Sequence, residues 1–166
     1  MILATHAVVG AAVARLFPQY PFIGFLAALA SHYFLDAIPH WNYHLRSFRS
    51  TKETTHGRPD MAWGRDFFVD LSKIALDGVL GLGLAFLLFR PQSWHDVLIT
   101  LVGIVGGVLP DALEFLYWKL GGKPLVWLQR LHHATHFKED IKNPIIGASL
   151  QVVFIGILFE VVRKVL

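Results

Sequence analysis

Apolar residues in this chain come in long blocks broken by short polar connections. Five runs stand out, at 2–17, 21–38, 74–89, 97–118 and 145–162. Each is roughly 16–22 residues, close to the ~20 that a helix needs to cross a bilayer. The 17–21 stretch (Phe-Pro-Gln-Tyr-Pro) predicts a tight return between the first two runs, and 90–93 (Arg-Pro-Gln-Ser) another turn. Two longer polar connections remain, 41–73 and 119–142. The pattern predicts an all-α fold, an integral membrane bundle of about five helices in a single domain over 1–166.

Composition strengthens this reading. Hydrophobic residues make up 54% of the chain and charged ones 16%, with a mean hydropathy of +0.50. Five apolar runs leave too little polar surface to wrap a soluble core of this size. Small residues in the first run (Gly10, Ala11, Ala12, Ala14) and the third (Gly78, Gly81, Gly83) suit close helix packing in a membrane. No Lys or Arg precedes Arg15, so a cleaved signal peptide is not expected. The absence of cysteine excludes disulfides and thiolate metal ligands.

The net charge of +3 reads as topology and lipid contact, because no arginine-rich or aromatic-interleaved motif points to nucleic acid. If the five runs alternate across a bilayer, eleven of the 15 basic residues fall on the side of the N-terminus and the two long connections. Positive-inside bias places that side in the cytoplasm, giving a multi-pass protein of the cytoplasmic membrane.

The polar exceptions inside the apolar runs carry the chemistry. Ser31–His40 reads SHYFLDAIPH, with His32, Asp36 and His40 at steps of four. Residues four apart share a helix face, about 6 Å apart along the axis. Pro39 is expected to end or kink that helix before His40. His6 lies near the start of the first run and Asp77 one turn into the third; Asp70 reads as solvated. In the fourth run Pro110 precedes Asp111, and Glu114 follows at i+3. The second long connection holds His132, His133 and His136, and a histidine pair at i,i+4 on a helix suits a divalent metal. His44, His56 and His95 read as ordinary surface histidines.

The same threading brings His6, His32, Asp36, His40, Asp77, Asp111, Glu114, His132, His133 and His136 to one end of the bundle. Unpaired polar groups are costly inside a membrane, so a shared site is expected there. The predicted metal ligands are His6, His32, Asp36, His40, Asp77, Asp111, His132, His133 and His136. Asp36 and Glu114 are the candidate catalytic carboxylates. Histidines with carboxylates and no thiolate suit zinc first, then manganese or iron, and the donor count allows two or three ions. Clustered metals suit in-line displacement at phosphorus, and a site at the bilayer surface suits a lipid or lipid-linked phosphoester.

These motifs also carry a family resemblance. Thr5-His6, SHYFLDAIPH, GGVLPDALE and HHATH resemble the bacterial inner-membrane metal-dependent hydrolases of the YdjM type, themselves similar to the zinc-dependent phospholipase C and nuclease fold. The resemblance implies a helical fold with a multi-metal site, and matches His6, His32, Asp36, Asp111, His132 and His136 to metal-binding positions. This chain departs from the pattern at Ala112-Leu113-Glu114, where a second aspartate is expected, and in the late HHATH cluster. Two other readings remain open. The boxes His40–His44 and His132–His136 imitate a di-iron lipid hydroxylase or desaturase. A non-catalytic metal-binding or scaffold protein would use the cluster to hold helices together. Oligomeric state is not legible from the sequence.

Overall fold

The computed structural model describes residues 1–137 and 141–165. Six helices account for most of it: α1 (Leu3–Ala14), α2 (Pro21–Asp36), α3 (Arg65–Phe89), α4 (Trp94–Leu120), α5 (Lys123–Thr135) and α6 (Pro144–Val165). Two strands of two residues, β1 (Phe48–Arg49) and β2 (Asp60–Met61), pair antiparallel in the first long connection. The all-α expectation holds, with six helices in place of five. The extra one, α5, forms inside the second long connection. Lys138, one of the eleven basic residues of the charge count, lies outside the described residues.

Several boundaries follow from local chemistry. Proline stands in the first turn of α2 and of α5, where its missing N–H costs nothing. Ser93 accepts from the Asp96 backbone N–H while the Asp96 carboxylate accepts from the Ser93 N–H, a reciprocal cap that starts α4. Glycines 121 and 122, both at positive φ, separate α4 from α5, a conformation that side-chain-bearing residues avoid.

Three helices, α3, α4 and α6, are long and apolar enough to cross a membrane. Their outward faces carry exposed Leu76, Val79, Leu80, Leu98, Val105, Ile145 and Val152, an apolar surface that suits lipid better than water. The first two runs do not reach that length. With 12 and 16 residues, α1 and α2 extend about 18 and 24 Å, against a hydrocarbon core of about 30 Å.

α1 is the buried axis of the fold. Ten of its twelve residues are buried, and it packs against α4, α3, α2 and α6. The small residues of the sequence explain how. Added Cβ atoms at Gly10, Gly103 or Gly107 would strike backbone of the facing helix, so α1 and α4 touch main chain to main chain. Gly81 of α3 meets Ala4 and Ala7 of α1 in the same way.

α3 begins at Arg65, about nine residues before its apolar run, and Asp70 in that added stretch is not solvated. It is fully buried and accepts from the backbone N–H and hydroxyl of Ser47 (both 2.8 Å) and from Lys73 (2.7 Å). These bonds pin the 41–47 segment over one end of the bundle. At that end, Phe137 N–H donates to Asp36 O (2.7 Å) and Ile141 N–H to His40 O (2.8 Å), tying the exit of α5 to the exit of α2.

Candidate metal centre

α2 delivers His32 and Asp36 from one face, and the helix ends at Asp36, just ahead of Pro39. His40 therefore lies beyond the helix, yet its Nε2 comes within 3.7 Å of Asp36 Oδ1. Asp111 and Glu114 come from α4, His132 from α5, and His136 from the residue that caps α5. Two donor groups result, His32–Asp36–Asp111–His132 and Asp36–His40–His136, and they share Asp36.

The first group has the spacing of a metal shell. His32 Nε2, His132 Nε2 and Asp36 Oδ2 are separated by 3.0, 3.2 and 3.3 Å. Asp111 Oδ1 stands 3.7 Å from His32 Nε2 and 3.9 Å from His132 Nε2. Four ligands at about 2.0–2.1 Å from a tetrahedral ion stand about 3.3–3.4 Å apart.

Ring orientation is set from behind. His32 Nδ1–H donates to Gly107 O (2.7 Å), leaving a lone pair on Nε2 that points at the cluster. His136 Nδ1–H donates to Phe137 O (2.9 Å), with the same consequence, whereas His40 Nδ1–H donates to Ile38 O (2.7 Å) and its Nε2 accepts from the Asn42 amide (3.2 Å). Pro110 removes the N–H that would bond Gly106 O. The neighbouring carbonyl, Gly107 O, is the one that holds His32.

Some buried ring nitrogens in or beside the cluster lack partners. Both ring nitrogens of His6 and Nδ1 of His132 lack a hydrogen bond among the described residues, where such a group typically costs about 1–3 kcal/mol. His6 Nε2 lies 3.1 Å from Asp36 Oδ1 but off the line of a hydrogen bond. Its ring stacks on His32 at 3.9 Å between centroids. Asp36 Oδ1 also faces the Met1 amine at 2.7 Å, so an ion in the second group competes with that ammonium. The first group is the better fit.

Electrostatics follow the same arrangement. Burial opposes charge on His132, but the Asp36 hydrogen bond and the Glu114 and Asp111 carboxylates outweigh it and hold its pKa above the ordinary value. At His40, burial and then the Met1 ammonium push the pKa down. Tyr43 is raised by burial and by Asp77, so its hydroxyl stays protonated at neutral pH.

Of the nine predicted ligands, six enter the donor groups and three do not. His6 packs against the cluster without joining either group. His133 is exposed and borders a small cleft with Glu114, His132 and His136. Asp77 has a different partner: its carboxylate accepts from Leu3 N–H (2.6 Å) and Ala4 N–H (3.2 Å), capping α1 from across the bundle. Glu114 lies behind His132, with Oε2 at 3.5 Å from His132 Nδ1 and Oε1 accepting from Gln129 (2.6 Å). Of the discounted histidines, His95 bonds Pro18 O at the other end of the bundle, and His44 and His56 stay at the surface.

Two further residues escaped the sequence reading. Gln151, buried in α6, accepts from Thr5 Oγ1 (2.9 Å) and donates to Trp41 O (3.0 Å). Its signal was a lone amide in an apolar run. Gln129 was hidden in the polar connection.

The cluster opens into a cavity of about 420 Å³. Asp36, Asp111, Glu114, His132 and His136 line it together with Asn42, Tyr43 and the apolar side chains of Leu3, Leu45, Leu71, Ile74, Val108, Phe115 and Trp118. Comparison of the chain with family models, curated proteins and solved structures gives no match.

Proposed function

We propose that this protein is a membrane-embedded, metal-dependent hydrolase of phosphoesters, with zinc as the preferred ion and its site on the cytoplasmic side. The observation that carries the reading is the His32–Asp36–Asp111–His132 group, at near-tetrahedral spacing, with Asp36, Asp111 and His132 lining a cavity whose other walls are mostly apolar. Two histidines and two carboxylates without sulfur suit zinc, with manganese next. The motif resemblance to inner-membrane metal-dependent hydrolases points the same way.

His32, Asp36, Asp111 and His132 would hold the ion, which when bound supplies charge to the phosphoryl oxygens and acidifies a water. Asp36 is fully engaged, with His32 and His132 on one oxygen and His6 and the Met1 amine on the other. It is better suited to holding than to proton transfer. Glu114 is the remaining carboxylate lining the cavity, anchored by Gln129 on one oxygen. In this reading Glu114 takes the proton of the attacking water as its oxygen bonds to phosphorus, the bond between phosphorus and the leaving oxygen breaks, and Glu114 returns the proton to the departing alkoxide.

The oxidase alternative draws less support, because its histidine boxes are incomplete. His44 is exposed, and neither it nor His133 belongs to a donor group among the described residues. The test is release of phosphate or alcohol from a panel of lipid and soluble phosphoesters by protein in nanodiscs. Activity should vanish on chelation, return with zinc or manganese, and fall at least 100-fold in Asp111→Asn and Glu114→Gln. Failure to turn over any phosphoester with metal loaded would refute the reading.

A further inference from the structure

We infer that the cavity is entered sideways, between α3 and α4, by the apolar chain of a lipid phosphate whose headgroup reaches the metal centre. The headgroup part of this inference rests on the hydrolase reading above; the chain-binding part stands on the cavity itself.

α3 and α4 each pack closely on α1 but meet each other over only a short stretch. Between them, Leu71 and Ile74 of α3 face Val108, Ala112 and Phe115 of α4 across the cavity. Leu71 and Ala112 are exposed and form its rim. Both rim residues belong to helices long enough to span a membrane, so the mouth opens toward lipid.

Its depth can be placed. Leu71 lies six residues from the start of α3 and Ala112 eight from the end of α4, about 9 and 12 Å along the two helices. Charged residues mark those helix ends, with Arg65 and Asp66 on α3 and Lys119 on α4, while Lys73, two residues past Leu71, pairs with buried Asp70. The headgroup zone is about 5–8 Å thick on each side, so the mouth stands where headgroups give way to hydrocarbon. A lipid resting there has its phosphate level with the metal-binding residues of the cavity.

Size narrows the ligand further. A cavity of 420 Å³ is at the small end for ligand pockets. At about 30 Å³ per water-sized group it holds roughly fourteen such groups, a phosphate and the first eight or nine carbons of a chain. A longer chain must leave through the mouth and remain in the bilayer. The site therefore favours a phosphate ester of a long alkyl or isoprenoid chain over a water-soluble phosphoester.

The test uses the full chain in nanodiscs and a dodecylphosphonate brominated near the phosphonate, whose carbon–phosphorus bond resists hydrolysis. Trp118 lines the apolar wall and acts as the reporter. The probe should quench tryptophan emission in the parent and lose most of that effect in Trp118→Phe. Ala112→Phe and, separately, Leu71→Lys should each raise the half-saturating concentration at least 10-fold with metal content unchanged. Quenching independent of Trp118, or equal affinity in parent and folded rim variants, would overturn the inference. Activity assays separate this from the hydrolase reading. Chain-dependent binding without turnover of the matching phosphate ester would refute hydrolysis and keep the lateral site. Turnover independent of chain length would refute the lateral site and keep hydrolysis.

Discussion

Gly107 joins the packing of the fold to the geometry of the metal centre, and Gly107→Ala tests both. An added Cβ would collide with the His6 carbonyl oxygen and stand 3.1 Å from the His6 carbonyl carbon and 3.2 Å from Gly10 Cα. Carbon atoms rest at about 3.5–4.0 Å, so α1 and α4 must part by about half an ångström or more. Overpacking of this kind costs about 1–3 kcal/mol, and for a chain of this length each kcal/mol lowers Tm by about 2–4 °C. The same shift moves the Gly107 carbonyl that orients His32, while metal–ligand distances tolerate only about 0.2 Å. Metal affinity should then fall about 10–100-fold, as when an outer-shell partner is lost. Thermal melting in detergent and a competitive chelator titration read the two effects. Gly83→Ala is the control, because nothing lies within 4 Å of its added Cβ. That variant should keep the parent's metal affinity and stability, or gain up to about 1 kcal/mol. A Gly107→Ala protein with unchanged Tm and affinity would refute backbone contact between α1 and α4.

Three other outcomes follow from the same geometry. Asp77→Ala should lower stability by about 1–2 kcal/mol through loss of the α1 cap and leave metal stoichiometry unchanged; loss of metal would restore Asp77 as a ligand. His133→Ala should bind metal like the parent, whereas His132→Ala should lose it, as equilibrium dialysis would show. Metal affinity should be flat at alkaline pH and decline as pH falls through the raised pKa of His132, because protons compete with the ion for that ring. An affinity independent of pH between 5 and 8 would exclude histidine ligands.

Much of the cluster was legible because helical periodicity is local. His32 and Asp36 share a face by spacing alone, and that pair is the heart of the first donor group. His136 was expected to align with His132 on one helix, but it is the cap residue with extended backbone. It reaches the second group because Phe137 and Ile141 are bonded to Asp36 and His40. Asp77 shows where spacing fails. A carboxylate inside an apolar helix is satisfied by a metal or by another helix's N-terminus, and its partner Leu3 is 74 residues away. The burial of Asp70 was missed for a related reason, since its partner Ser47 lies on a different segment. The carbonyls that orient the histidines belong to the backbone and leave no mark in the side-chain pattern.

The most direct measurement is metal content by mass spectrometry on protein purified without added metal, beside folded His32→Ala and Asp36→Asn variants. The parent should carry at least one equivalent of divalent metal, zinc foremost, and both variants should carry less than a tenth of it. A parent that stays empty after exposure to zinc, manganese and iron, or variants that retain full stoichiometry, would contradict a metal centre built on His32 and Asp36.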